Sequence, residues 1–477
     1  MNLPHATTSL CGRCKRSVPA TLVEVDGRVV MRKTCPEHGD QEGLVSSDVA
    51  WWRATMAMDV SAVAPANARP VARGCPFDCG PCTAHQQQVH LPIVPITSSC
   101  DLDCPICYTH NKNGGAWHLD DAGIDAIVRH VVAASPGKPI INLTGGEPTR
   151  HPDLIRIVER CRAAGIRRVT ISTHGLRFLR DEELAKRLAE LEARVVLSFD
   201  SFDEATNKAM LGGTFARGKL AVLDVLERYG LDTTLLPVLA RGHNDHELGK
   251  FVALALSRDV VRSLELHTMT FTGQGGVGFD RRARYDTIDV LRDVEAQTEG
   301  LLRVNDFVPS PTAHALCYQC AYLLRTDAGW VPFTRFMARS ELRDLLRGGL
   351  YLEPGPAVEG LLADVLDRLF ASDRPDRDTL LKALRGLVDD VFDPSVDTYE
   401  RMRRAEGRTK AVYLHAHMDE ETFDTDRLRL CPVGIREADG TNVPSCAYNV
   451  VYRERDPRFQ VVPKKPIDTL GPGRIDE

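Results

Sequence analysis

Residues 92–108 read PIVPITSSCDLDCPICY. The run Pro92 to Thr97 is apolar and strand-forming, and two serines lead from it into Cys100-x3-Cys104-x2-Cys107. Further strand-like runs follow at Pro139 to Leu143, Arg168 to Thr173, Arg194 to Phe199, Thr233 to Leu239 and Arg262 to Thr268. Helical stretches separate them. In Leu154 to Cys161 the apolar positions 154, 157, 158 and 161 share one helical face. Leu220 to Leu226 is similarly crowded before Tyr229-Gly230, where glycine ends a helix. Six strand–helix units in series predict an α/β fold: a parallel sheet curled into a partial (β/α)6 barrel. In such folds the chemistry collects at the C-terminal ends of the strands.

The chain has 477 residues, 60 Lys+Arg against 66 Asp+Glu, and 14 cysteines. The length allows about three structural units. A formal net charge of -6 argues against a dedicated nucleic-acid binder. No apolar run approaches the roughly 18 to 20 residues of a transmembrane helix. Met1 to Leu10 lacks the basic and apolar regions of a secretion signal. A cytoplasmic protein is expected, lying at a membrane surface if its substrate is a lipid. In a reducing compartment the cysteines read as metal ligands rather than disulfides.

Their spacing divides the chain. Residues 1–70 are read as a ribbon-like metal module and linker. Here Cys11-x2-Cys14 precedes two strands, Ala20 to Val25 and Arg28 to Lys33, joined by Asp26-Gly27, and the second runs into Cys35-Pro-Glu-His38. Two chelating turns around a hairpin suit zinc or iron, with Cys11, Cys14, Cys35 and His38 as ligands, unless His38 is a plain loop residue. Residues 71–90 hold Cys75-x3-Cys79-x2-Cys82, an auxiliary site completed by His85 or by an exogenous ligand. Residues 91–276 form the barrel. Residues 277–477 carry Cys317, Cys320, Cys431 and Cys446, a four-thiol set for a second auxiliary cluster or a mononuclear iron or zinc. Cys161 falls on the apolar face of its helix and reads as a core residue. Tyr285 to Leu302 is a further helix. Another carries the stripe Val358, Leu361, Leu362, Val365, Leu366 and Leu369, whose acidic opposite face favours packing on the barrel over docking to an anionic membrane. The tail after Val461 is rich in Pro, Gly and charge.

Three thiolates on one loop hold three corners of a cubane [4Fe-4S] cluster and leave one iron open to a small molecule. Tyr108 follows the last cysteine, and Gly145-Gly146-Glu147-Pro148 ends the second strand. With these two features the core resembles the radical S-adenosylmethionine superfamily. The resemblance implies that S-adenosylmethionine binds the open iron through its amino and carboxylate groups. It is then reductively cleaved to a 5′-deoxyadenosyl radical that abstracts hydrogen from a carbon. A small reductant protein such as flavodoxin or ferredoxin would supply the electron. It further implies that Glu147 accepts from the methionyl ammonium while Gly145 and Gly146 admit the cofactor closely. Ser198 and Asp200 would bind ribose hydroxyls or the carboxylate side. Asn244 and the backbone around Gly273 would lie near the cofactor, the latter beside adenine. Such proteins often read Thr-Asn-Gly where this chain has Thr173-His174-Gly175, so the role of His174 stays open.

The order of ribbon, Gly74-Cys-Pro-Phe-Asp-Cys-Gly, radical core, Asp306-Phe-Val-Pro and Cys446-Ala-Tyr-Asn449 resembles the tetraether lipid synthase family, some of whose relatives were labelled pterin methyltransferases. That resemblance implies carbon–carbon bond formation between alkyl termini of lipid chains, with auxiliary iron–sulfur centres beside the substrate. A radical methyltransferase acting on a pterin-like heterocycle is the competing enzyme. A non-catalytic iron–sulfur electron-transfer scaffold is the reading from another class, against which the intact Tyr108, Glu147 and three-cysteine loop speak.

Overall fold

Asp26 and Gly27 both take positive φ, 49° and 74°, the mirror-image turn that matches strand twist. The expected hairpin forms around them, and Val25 pairs with Arg28. In this computed structural model, which describes residues 2–65, 68–80, 82–109, 116–135, 139–349, 351–352 and 355–459, the hairpin belongs to a four-stranded antiparallel meander. Its strands are β1 (His5–Leu10), β2 (Ser17–Val25), β3 (Arg28–Cys35) and β4 (Gly39–Ser46). Helix α1 (Val49–Met56), capped by Asp48, buries Trp52 against this sheet. The stretch after Val461 lies outside the described residues.

The barrel strands are β5 (Leu91–Thr97), β6 (Ile140–Gly145), β7 (Arg168–Thr173), β8 (Arg194–Ser198), β9 (Thr233–Leu236), β10 (Val238–Leu239) and β11 (Val261–Thr268). The run expected as one strand at 233–239 is split at Pro237, which has no N–H to give a ladder. Helices α2 (Asp121–Ala134), α3 (Leu154–Ala163), α4 (Glu182–Glu190), α5 (Glu204–Leu211), α6 (Ala216–Tyr229) and α7 (Leu248–Ser257) make the crossovers. Asp120, Asp181 and Asp203 cap α2, α4 and α5 through their carboxylates. The stripe Leu154, Ile157, Val158 and Cys161 of α3 is buried in the same cluster as Val94, Ile141, Val169 and Val195 from the strands. Cys161 is thus a core residue.

The C-terminal region completes the sheet at both margins. Its strands are β12 (Val308–Pro309), β13 (Tyr318–Thr326), β14 (Gly329–Pro332), β15 (Thr409–His415), β16 (Val433–Arg436) and β17 (Asn442–Pro444). Along the sheet the order is β12-β13-β15-β11-β9-β8-β7-β6-β5-β16-β17, an open path rather than a closed barrel. β15 adds parallel to β11, and β16 adds parallel to β5. The sheet curls enough that Tyr318 and His415 from one margin and Val433 and Ile435 from the other line a common cavity.

The helix expected at 285–302 spans Thr287–Gln297. On helix Pro356–Phe370, Val358, Leu362, Val365 and Leu369 are buried, while Leu361 and Leu366 are partly covered. This stripe packs against helix Arg377–Phe392, which itself contacts β13, in one apolar cluster with Tyr318, Cys320 and Tyr322 on the β13 face that turns towards the interior cavity. Beneath the strands Arg168 and Arg194 pair with Glu406, and Arg194 also faces Asp232. The Tyr351 ring lies 4.3 Å from the Arg168 guanidinium, so charge and aromatic surface together plug the floor. Among the described residues no helix is long and apolar enough to cross a membrane.

Candidate active site

Strand β5 ends at Thr97, and the loop that follows brings the thiols of Cys100, Cys104 and Cys107 to one cavity of about 860 Å³. Burial pushes the Cys100 thiol up to about 12 and drives Cys104 higher still. Such thiols give up their protons only to a cation that replaces them. No other donor type is needed for three cluster corners, and the set fits.

The two glycines line this cavity, and a second constraint also keeps them small. A Cβ on Gly145 would meet the Thr97 carbonyl oxygen at 2.1 Å, and one on Gly146 the Ser99 oxygen at 2.3 Å. Their smallness serves the cysteine loop. The amides of Gly146 and Glu147 donate to Thr97 O (2.8 Å) and Ser99 O (2.7 Å). Gly273 is alike: with φ +60°, its Cβ would strike the Tyr108 backbone at 2.3 Å. Gly275 donates to Cys107 O at 3.1 Å, and Gln274 Nε2 to Cys104 O at 2.8 Å. The glycine segment expected beside adenine therefore grips the far end of the same loop.

Glu147 is 1% exposed. Its Oε1 accepts from Thr149 N (2.9 Å), Thr149 Oγ1 (2.7 Å) and Thr173 Oγ1 (2.6 Å), and Oε2 from His174 N (2.9 Å). A carboxylate offers about four acceptor directions, and the carboxyl faces the cavity, so Oε2 keeps capacity for one more cation. His174 is buried, with Nε2 2.8 Å from Asp101 Oδ1 and 3.3 Å from Glu147 Oε2. Its hydrogen bond holds the Asp101 carboxyl below the usual range. The histidine ties the cysteine loop to the end of β7.

Ser198 and Asp200 both face the cavity. Burial raises Asp200, with Lys219 Nζ 3.9 Å from its Oδ2 and Val238 N donating to Oδ1 at 2.9 Å. Lys219 also donates to Ser198 O at 2.5 Å and is itself a cavity-lining cation that sequence reading missed. Its only signal was a lysine on the inward side of α6. Asn244, expected near the cofactor, is fully buried elsewhere. Its amide donates to Asp200 O (2.6 Å) and Val238 O (2.8 Å) and accepts from Ala240 N (2.9 Å), so it braces the loop behind Asp200. It lines neither this cavity nor the next.

Tyr108 is 40% exposed, and that surface lines both this cavity and a neighbouring one of about 1220 Å³. The Arg453 guanidinium lies 5.1 Å from its ring and bonds Asn449 Oδ1 at 3.0 Å. Arg453 follows a π-helical turn at Tyr448–Tyr452, a form that recurs at functional sites. The larger cavity runs inside the sheet. Leu91, Ile93, Val433 and Ile435 make an apolar wall, and Glu265, His267, His415 and His417 make a polar one.

The other thiols sort into groups. Cys14 Sγ is 3.9 Å from Cys35 Sγ, and His38 Nδ1 is 3.5 Å from both Cys11 and Cys35. Tetrahedral zinc at about 2.3 Å from sulfur puts neighbouring sulfurs about 3.8 Å apart, so the ribbon ligands fit a metal with His38 among them. Cys75 and Cys79 are hydrogen-bonded, with Cys82 and Cys431 close enough to raise Cys79 further. His85 Nε2 lies 3.0 Å from the Cys431 carbonyl, which can only accept, so that nitrogen is turned away from these thiols. Of the downstream four, Cys317, Cys431 and Cys446 interact with one another, and Arg427 Nε donates to Cys317 Sγ at 3.1 Å. Cys320, on β13 opposite Tyr413, instead has Glu265, Tyr322 and Tyr413 as its charged and polar neighbours. The structure groups three of those four cysteines and sets Cys320 apart.

Residues 94–255 match the profile of the radical SAM superfamily, and residues 3–47 that of the HMPTM N-terminal zinc ribbon domain. The chain is a radical SAM enzyme whose radical SAM domain spans residues 94–255. It is 27% identical over 479 residues, 94% of each chain, to the 7,8-dihydro-6-hydroxymethylpterin dimethyltransferase of Methanocaldococcus jannaschii. It is 29% identical over 201 residues to a probable GTP 3′,8-cyclase of Saccharolobus islandicus, covering 41% of this chain and 60% of that protein. Among solved structures, Streptococcus suis SuiB bound to S-adenosylmethionine aligns with a TM-score of 0.37 at 18% identity, over 45% of this chain and 47% of that one.

Proposed function

We propose that this enzyme abstracts hydrogen from an unactivated aliphatic carbon and forms a carbon–carbon bond on a lipid or other alkyl chain. One observation carries the reading. The 1220 Å³ cavity beyond the cofactor pocket has an apolar wall of Leu91, Ile93, Val433 and Ile435, on which an extended apolar substrate has surface to bury.

The [4Fe-4S] cluster and S-adenosylmethionine, when bound, supply the one-electron cleavage that yields a primary alkyl radical. Cys100, Cys104 and Cys107 would hold the cluster, and Glu147, Ser198, Asp200 and Lys219 the sulfonium cofactor. Tyr108 and Arg453 cover the junction of the two cavities. The floor ions Arg168, Arg194 and Glu406 keep bulk water from entering below. The resemblance to tetraether lipid synthases along the chain supports the same reading.

Methyl transfer to a pterin-like heterocycle is a second reading, favoured by the polar wall and by the name of the M. jannaschii relative. Reduced enzyme is to be incubated with S-adenosylmethionine and either a lipid with perdeuterated chains or 6-hydroxymethyl-dihydropterin. Deuterium from the lipid recovered in 5′-deoxyadenosine supports the proposal. Methylated pterin, with no deuterium transfer from lipid, overturns it in favour of the second reading. No 5′-deoxyadenosine from either substrate would point to the electron-transfer scaffold.

A further inference from the structure

We infer that His267, His415 and His417 form a mononuclear site for a first-row divalent transition-metal ion on the polar wall of the substrate cavity, with a coordination position open to the cavity. Ligand nitrogens of the three lie within 4.8 Å of one another. Among the described residues the ribbon is the other group at such spacing. The placement follows from the sheet. β11 and β15 run parallel with His267 opposite His415, and His417 is two residues further on, beyond the strand end. All three line the 1220 Å³ cavity. The assignment does not depend on whether the substrate is an alkyl chain or a heterocycle.

The surroundings are those of metal-binding imidazoles. Glu265 Oε1 is 2.9 Å from His267 Nε2, which leaves Nδ1 of that ring as the ligand atom. A carboxylate behind a histidine fixes tautomer and ring direction in metal sites. Cys446 Sγ is 3.6 Å from His417 Nδ1, and the Tyr318 ring stacks on His415 at 3.8 Å. His415 is 6% exposed, and its Nδ1 finds no hydrogen-bond partner among the described residues, Glu265 being 3.6 Å away. Buried polar atoms are rarely left so without a ligand. The His415 and His417 ring centroids are only 4.0 Å apart. Three imidazole nitrogens suit zinc, iron, nickel or copper rather than magnesium or calcium. Three protein ligands are the number that leaves one tetrahedral position for an oxygen or nitrogen donor.

In cubane clusters iron and acid-labile sulfide are equal, so metal in excess of sulfide counts mononuclear sites. Anaerobically purified holoenzyme should therefore lose one equivalent of excess transition metal per chain on His415→Gln or His267→Gln, with sulfide unchanged. Cys14→Ser in the ribbon should remove a different equivalent, and the losses should add. Excess metal equal in the wild type and both histidine variants, with sulfide retained, overturns the site. Should sulfide fall in the variants, anomalous diffraction from wild-type crystals at the iron and zinc edges decides. A peak among the three imidazoles supports the assignment, and its absence there rejects it.

Discussion

A methyl group added at Gly146 would sit 2.3 Å from the Ser99 carbonyl oxygen. That oxygen belongs to the backbone that launches the cysteine loop, so it cannot yield without moving Cys100. Overpacking of this kind costs about 1–3 kcal/mol. Gly146→Ala is expected to lower cluster occupancy and 5′-deoxyadenosine formation about tenfold or more, measured as iron per chain and nucleoside yield. The residue pattern Gly-Gly-Glu-Pro was legible in the sequence, but its mechanical purpose was not, because spacing does not say which backbone a glycine faces. Asn244 was misread for a related reason. A polar side chain after a strand serves a ligand or a loop equally well, and here all its hydrogen bonds go to the backbone of Asp200, Val238 and Ala240. The histidine trio escaped notice because His267 and His415 lie far apart along the chain and meet only through strand pairing.

Between elements, two ionic contacts yield predictions. Glu406 is the common partner of Arg168 and Arg194 under the barrel. Burial alone would lower the Arg194 guanidinium, yet Glu406 and Asp232 more than offset this and hold it charged. Glu406→Ala strands buried charge and should destabilise the fold by about 3–5 kcal/mol, read from denaturant unfolding under anaerobic conditions. The second contact joins the N-terminal module to the start of the helix Thr287–Gln297. Ser47 N and Oγ donate to Asp286 at 2.6 and 3.1 Å, and Ser47 Oγ to Asp289 at 2.7 Å. Burial, then the nearby Asp289, raises the Asp286 carboxyl above its ordinary value. The folded chain thus keeps a proton that the unfolded chain has lost, so this group's contribution to stability falls as pH climbs from about 4 towards the raised value. Asp286→Asn should flatten that slope in thermal melts taken between these limits; an unchanged slope would refute it. The barrel strands were readable from apolar runs bounded by turns, and the Asp26-Gly27 hairpin from its dipeptide. β15 and β16 were not, since adding a strand to a distant margin is a non-local choice that no local pattern records.

For the whole molecule, the C-terminal region completes the vessel that the core begins. Its thiols are expected to behave unequally. Cys431→Ala should remove about four irons and four sulfides per chain if a cubane sits there, whereas Cys320→Ala should leave both counts unchanged. Equal losses from the two variants would restore the four-thiol set. Cys317 stands just before β13 at one margin of the open sheet and Cys431 just before β16 at the other, and among the described residues no main-chain ladder joins those margins. Any ion or cluster held by these two thiols with Cys446 would therefore act as a bolt between two ends of the chain's sheet that hydrogen bonds leave unjoined.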